Sequence, residues 1–357
     1  MLRNATALDL STAVVELVSD LSFARDGTGL ASIRCTLLGQ NVLFGSLIEK
    51  SVSTLESLDY YDGCFDNMRS LVIGQNGDPL VYPKLKNLIV GNDECGPFGD
   101  KVRIDSSIVP FPALRYLMWR SVYIFEDDAL FRGNSDTLEY LDIEVDIDLV
   151  QTLHRLAVFA PGKYSRLCYV AVTYCQPSPD KYLEIDEYVR FVIGLLSPTT
   201  TVLSLTRYFH NMVVADADSL CFGNIQTLTL TGFCGTQYVL LDIVKLFPRM
   251  TRLTCAQGSL VADLRGRQIR SYDDLHTEYY PLSSSFRHWE AVPGLVRDVK
   301  AIAHMALLFT ILCPNFELTY VSSEFSKKFE QFMRRTIRSG RHKDHADRLQ
   351  HLLRIMD

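Results

Sequence analysis

The sequence predicts an α/β solenoid, a single parallel β-sheet assembled from a short repeating unit and closed at its C-terminal end by a helical cap. Three observations carry this. An apolar residue followed at +3 and +5 by two more recurs a dozen times along the 357 residues. Several segments between these triplets space their apolar residues as a helix does. The stretch "SEFSKKFEQFMRRTIRSG" aligns Phe325, Phe329, Phe332, Met333 and Ile337 on one helical face and then stops at Gly340, as the last helix of a capped solenoid would.

The triplets follow in order. Ala5/Leu8/Leu10, Leu30/Ile33/Cys35 and Leu55/Leu58/Tyr60 are evenly spaced, as their middle members Leu8, Ile33 and Leu58 show. Met68/Leu71/Ile73, Leu85/Leu88/Val90, Leu114/Leu117/Trp119 and Leu138/Leu141/Ile143 come next. Leu167/Val170/Val172, Thr200/Leu203/Leu205, Ile225/Leu228/Leu230, Met250/Leu253/Cys255 and Cys313/Phe316/Leu318 complete the series, with a degenerate unit around Phe286. The much shorter step from Leu58 to Leu71 marks one of those two units as partial. In "TLEYLDIEV" the last steps are of two, the period of a half-buried strand. The returns "STAVVELVSDLSF", "DIDLVQTLHRLAVF", "EIDEYVRFVIGLL" and "QYVLLDIVKLFP" read as helices, with Ser11, Asp146 or Asp148 as N-caps. "AIAHMALLFTILCP" reads as a buried core helix, too short to span a bilayer.

A triplet of this form, recurring at a spacing of roughly 20 to 30 residues, resembles the leucine-rich-repeat signature. Strand plus helix within each unit resembles the ribonuclease-inhibitor-like subclass of that family. The resemblance covers nearly the whole chain. It implies a curved horseshoe with a parallel sheet on the concave face and helices on the convex face. The pattern departs at the Asn/Cys ladder position. Asn76 and Cys175 occupy it in two units, whereas Ala13, Val122, Phe233 and Gly258 stand there in others. Turn hydrogen bonds are therefore expected to differ from unit to unit. Stretches such as "DDALFRGNSDTLEYLDI" and "HADRLQHLL" resemble leucine-rich-repeat proteins of early-diverging fungi, some of whose relatives carry an F-box.

The expected domain organisation is a solenoid over residues 1–322, with insertions at 91–112 and 257–295, and a helical cap over 323–357. Both insertions are long, polar and rich in Gly, Pro or Ser. Such loops either contact ligands or have no role. The first triplet starts at Ala5, so no F-box is expected ahead of it. An uncapped N-terminal edge would reflect truncation or be covered by a partner.

Composition excludes several classes. Hydrophobic content of 47% with 22% charged residues argues for a globular chain, and a net charge of −6 gives no global case for nucleic acid. Nine cysteines without a C-x-x-C pair suit free thiols in a reducing compartment, and no secretory signal is present. A cytoplasmic or nuclear location follows, with no membrane partner. The acidic run Asp142, Glu144, Asp146, Asp148 has Ile147 and Leu153 where a calcium loop needs Gly and Glu. His342, His345 and His351 sit in a charged helical segment and read as a solvated cap, so no metal or other cofactor is expected. From Lys327 to Arg354 nine basic residues face three acidic ones, but no aromatics interleave with them for base stacking. No P-loop, G-x-S-x-G or H-E-x-x-H motif occurs, and no catalytic residue is assigned.

The expected function is a non-enzymatic protein-recognition scaffold. Alternation sends Leu141 and Ile143 inward, and therefore Tyr140, Asp142 and Glu144 outward onto the concave face. The same offsets put Tyr116, Met118 and Arg120 on the unit before, and Tyr169, Ala171 and Thr173 on the unit after. Thr227, Thr229 and Thr231, or Ser204 and Thr206, are bland by comparison. Tyr and Arg are enriched where binding energy concentrates, so Tyr116, Met118, Arg120, Tyr140, Asp142, Glu144 and Tyr169 are the expected partner-binding set. The alternative for the tyrosines is cross-strand pairing that only stabilises the sheet. The F-box resemblance implies a substrate receptor for a ubiquitin ligase, with a ligase adaptor as a further partner. The alternatives are an enzyme or GTPase regulator on the same scaffold, and a nucleic-acid binder acting through the basic C-terminal helices.

Overall fold

The computed structural model describes residues 7–10, 29–37, 42–62, 65–91, 101–120, 125–145, 150, 162–174, 191–206, 223–232, 234–256, 259–261, 280–291, 299–321, 323–339, 347–348 and 350. The chain forms two compact units, Met1–Ser197 and Pro198–Asp357. Each is α/β, and each is built on parallel strands that follow one another in chain order.

In the first unit these strands are β1 (Ala7–Leu10), β2 (Ser32–Leu37), β3 (Ser57–Asp62), β4 (Asn87–Gly91), β5 (Tyr116–Arg120), β6 (Tyr140–Val145) and β7 (Tyr169–Tyr174). Their register follows the triplets: Leu8 pairs with Ile33, Ile33 with Leu58, Leu58 with Leu88, Leu88 with Leu117, Leu117 with Leu141 and Leu141 with Val170. Leu58 and Leu88 are thus direct neighbours, and the partial unit is the one at 71. Met68 lies in helix α2 (Phe65–Ser70), Leu71 and Val72 are buried, and Ile73 makes an isolated bridge to Pro79. That segment, with helix α1 (Val42–Ser51), forms part of the returns.

The second unit carries β8 (Val202–Thr206), β9 (Thr227–Thr231), β11 (Arg252–Ala256), β13 (His288–Ala291) and β14 (Glu317–Val321) in its sheet, and a separate pair, β10 (Cys234–Thr236) with β12 (Ser259–Val261). Leu203, Leu228, Leu253, Trp289 and Leu318 align in register. The degenerate unit is therefore Phe286/Trp289/Ala291. The final triplet is displaced by two from its expected register, because Leu318 and not Phe316 faces Trp289, and the β13–β14 pairing shifts after Trp289. Helix α3 (Gln237–Leu246) forms as expected, and helix α4 (Val299–Leu312) is the buried core helix, apolar from Ile302 to Leu312 save for His304 and Thr310. Helix α5 (Ser323–Arg338) buries Met333 and leaves Arg334, Arg335 and Arg338 exposed.

The core lies behind the sheets. Every inward strand position described from Ile33 to Val172 in the first unit is buried, including Tyr60 and Trp119. Each large side chain so buried contributes about 1.5–3 kcal/mol. The strands begin with a recurring backbone device. The carbonyl of Glu56 accepts from the N–H groups of Lys86 and Asn87, that of Lys86 from Arg115 and Tyr116, that of Arg115 from Glu139 and Tyr140, and that of Glu139 from Cys168 and Tyr169. Thr201, Gln226 and Thr251 accept in the same way in the second unit. One backbone oxygen per repeat thus serves two donors of the next, whatever side chains the repeats carry. Elsewhere in the first unit, Asn76 lies in a turn, where Gly77 N–H bonds to the Gly74 carbonyl at positive φ. Ala13, Val122, Cys175, Phe233 and Gly258 lie outside the described residues.

Of the two insertions, residues 101–112 are anchored and do not loop out. Val102 bridges to Phe125, and Val102, Ile104 and Phe111 are buried. Arg132 donates to the carbonyls of Asp105 and Ile108 while pairing with Asp127 and Asp128. Residues 92–100 and 262–279 lie outside the described residues, as do most of the returns at 11–23, 146–159 and 184–196. Residues 191–195 of the last are helical. His342, His345 and His351 also fall outside, together with most of "HADRLQHLLRIM".

Candidate functional site

Alternation within β2 to β7 places three rows of side chains on the solvent side of the first unit's sheet. The first row runs Ser32, Ser57, Asn87, Tyr116, Tyr140, Tyr169, and the second Arg34, Asp59, Ile89, Met118, Asp142, Ala171. The third runs Thr36, Tyr61, Gly91, Arg120, Glu144, Thr173; β6 and β7 align the last two. The seven residues expected at the site all stand in these rows, on three adjacent strands.

Tyr116, Tyr140 and Tyr169 form a stack. Their ring centroids are 4.1 and 4.0 Å apart, with interplanar angles of 11° and 7°. The parallel register dictates this: identical side chains at the same position of neighbouring strands sit about one strand spacing apart. Each stacked pair adds about 0.5–1.5 kcal/mol beyond its burial. Burial pushes the Tyr140 phenol well above its ordinary pKa, and hydrogen bonding with Tyr169 and Tyr116 adds to the effect. The central hydroxyl of the ladder is therefore neutral at any physiological pH.

Beside it lies an ion pair with its charges at different depths. Arg120 donates from Nε to Asp142 Oδ1 at 3.2 Å and from Nη2 to Oδ2 at 2.5 Å. The Asp142 side chain is 1% exposed, whereas that of Arg120 is 53% exposed. Alternation alone puts Asp142 on the exposed strand face. It does point to that side, but it is buried beneath the guanidinium, which reaches back along the sheet and across to the next strand. The hydrogen bond to Asp142 raises the Arg120 pKa further, against the opposing effect of burial. Glu144 and Met118 are half-buried.

Four neighbours of this set are legible only by carrying the same offsets further back along the sheet. Arg34 and Asp59 pair at 2.7 Å, again with the cation outward. Tyr61 is 41% exposed. Its ring lies over Gly91, where a Cβ would collide with it. Burial and the Asp59 carboxylate raise the Tyr61 pKa, and Arg120 acts in the opposite direction. The flat spot at Gly91 thus lets an aromatic ring fold down next to Arg120.

The face of the second unit differs. Ser204, Thr206, Thr227, Thr229 and Thr231 are small hydroxyl residues, and beyond them Arg252 and Thr254 both bond to Glu290, at 2.6 and 3.2 Å. Among the described residues no group of three or more His, Cys, Asp or Glu side chains could hold a metal ion. Cys35, Cys168, Cys255 and Cys313 are not in disulfides, and burial pushes Cys255 and Cys313 up to about 12. Among the described residues, no helix is long and apolar enough to cross a membrane.

No protein-family model matches this chain, and no curated protein matches it.

Proposed function

We propose that the chain is a non-enzymatic protein-recognition module that binds a partner on the solvent side of the first unit's strands, and that its fold is a leucine-rich-repeat solenoid of the ribonuclease-inhibitor-like, horseshoe type. The observation that carries this reading is the stacked ladder of Tyr116, Tyr140 and Tyr169 beside the outward guanidinium of Arg120. Tyr and Arg are the side chains in which interface hot spots concentrate. Rings locked by stacking, and an arginine locked by a buried carboxylate, lose little conformational freedom on binding. Repeats that align in register as successive parallel strands support the solenoid reading. Its narrower form is an F-box-type ubiquitin-ligase substrate receptor.

The test is the triple variant Tyr116→Ala, Tyr140→Ala, Tyr169→Ala, compared with the wild-type chain in affinity capture from native cells. The reading expects a specific set of proteins to be lost while circular dichroism still shows a folded chain. Unchanged capture by a folded variant would show that the ladder serves only to hold the strands together.

A further inference from the structure

Taking the strand face as the recognition surface, we infer that Arg120 is an anchor for a carboxylate, and that the partner segment is an extended peptide with an Asp or Glu two positions from an apolar side chain. A guanidinium has five N–H donors in a rigid fork. Asp142 takes one from Nε and one from Nη2, both on the same edge. Two donors on Nη1 and one on Nη2 remain on the other side of a group that is 53% exposed. Because Asp142 holds the fork from below, that second edge is fixed in direction before any partner arrives. A carboxylate meeting it forms charge-assisted, bidentate hydrogen bonds.

The depth of the charges sets the sign of the partner. In two ion pairs described on this face the guanidinium is outward and the carboxylate sunken, with side-chain exposures of 53% against 1% for Arg120 and Asp142, and 57% against 14% for Arg34 and Asp59. An approaching chain therefore meets cations first. The same arrangement favours a single negative charge over a phosphate or a nucleic-acid backbone. Asp142 already neutralises Arg120, so a dianion would gain one bidentate contact and bring a second negative charge towards the Asp142 carboxylate.

The neighbouring residues supply the apolar half of the motif. Met118 precedes Arg120 by two positions on β5, on the same face, and is aligned with Ile89 on β4. Two positions of extended chain span about 7 Å, so a peptide running along β5 can seat an apolar side chain on Ile89 and Met118 with its carboxylate at Arg120. Tyr116 bounds this floor at one end, and the ring of Tyr61, folded over Gly91, stands beside Arg120 at the other. The motif follows as apolar-x-acidic or its reverse, according to the direction of the peptide.

The experiment selects a displayed library of random dodecapeptides against the full chain at physiological salt. Binding of the enriched peptides is then measured to four proteins: wild type, Arg120→Lys, the double variant Arg120→Gln with Asp142→Asn, and the tyrosine triple variant. Arg120→Lys keeps a cation opposite Asp142 but loses the second planar edge. The double variant replaces the ion pair by a neutral one, so a fold that survives either substitution keeps the test alive. Expected are peptides enriched in Asp or Glu two positions from Leu, Ile, Met or Phe, binding both Arg120 variants at least tenfold more weakly. Exchanging the peptide acid for its amide should cost the same factor in wild type and nothing further in the variants. Enrichment of basic peptides, no enrichment, or acidic peptides indifferent to Arg120 would each overturn the inference, as would single-stranded DNA or RNA competing through Arg120. Peptides that need the tyrosines but not Arg120 would sink only the carboxylate anchor; peptides that need neither would sink the face as well.

Discussion

Asp142 and Arg120 occupy one ion pair but play unequal parts in it. Removing the arginine strands a carboxylate that is 1% exposed, whereas removing the carboxylate leaves a guanidinium already more than half in water. Burying an unpaired charge costs several kcal/mol, while a partly exposed one is solvated. Arg120→Met is therefore expected to lower unfolding free energy by about 3 kcal/mol. Asp142→Asn, which keeps an oxygen for the guanidinium, should cost about 1 kcal/mol. Urea denaturation of the two variants measures the difference, and an equal or reversed order would show that the carboxylate is not deeply desolvated. Gly91 works at the same scale. Its missing Cβ is what allows the Tyr61 ring to lie flat on the sheet.

Among the elements, the strands are made alike and the returns are not. From β2 onward, each strand of the first unit carries an inward apolar pair and an outward set, and from β3 onward a shared carbonyl acceptor ties its first residues to the strand before. The returns range from the short helix α2 to an irregular segment held by Arg132. Helix α4 is the extreme case. Ala303, Ala306, Leu307, Leu308 and Leu312 are buried, and Thr310 returns its hydroxyl to the Ala306 carbonyl at 2.7 Å, since burial leaves it no water. Small side chains at 303 and 306 on a helix buried this thoroughly mark close approach. Ala306→Leu is expected to destabilise the protein by about 1–3 kcal/mol through overpacking. An exposed alanine would respond with little change or a small gain, and thermal unfolding separates the two outcomes.

On the scale of the whole molecule, a repeat array draws its stability from each repeat and from the interface to the next one. The sequence holds two tryptophans, Trp119 and Trp289, one in each compact unit and both buried. They are natural reporters. With Trp289→Phe leaving Trp119 to report, and Trp119→Phe leaving Trp289, a cavity such as Leu88→Ala should shift the urea midpoint seen by Trp119 more than that seen by Trp289. Such a cavity costs about 2–5 kcal/mol. Equal shifts at both reporters would mean that the chain unfolds as one cooperative block, unlike a nearest-neighbour array.

The linear order of residues determined where most of the strands begin, which side chains point inward, and which seven face outward together. These properties depend on a period of two and on a recurring spacing, and both are local. The spacing could not decide which triplets pair, because the units at 58 and 71 each offer the right apolar letters. The structure pairs Leu58 with Leu88 and turns Leu71 into the return. Nor could alternation tell that Asp142 is sunken while Arg120 is exposed, or that Tyr61 folds over Gly91. Those outcomes depend on side chains reaching between strands that the chain itself separates by a whole repeat, Arg120 diagonally to Asp142 and Tyr61 straight across onto Gly91. "TLEYLDIEV" contains the tyrosine and the buried carboxylate of the site. Only packing against its neighbour strand supplies the arginine that gives that carboxylate a use.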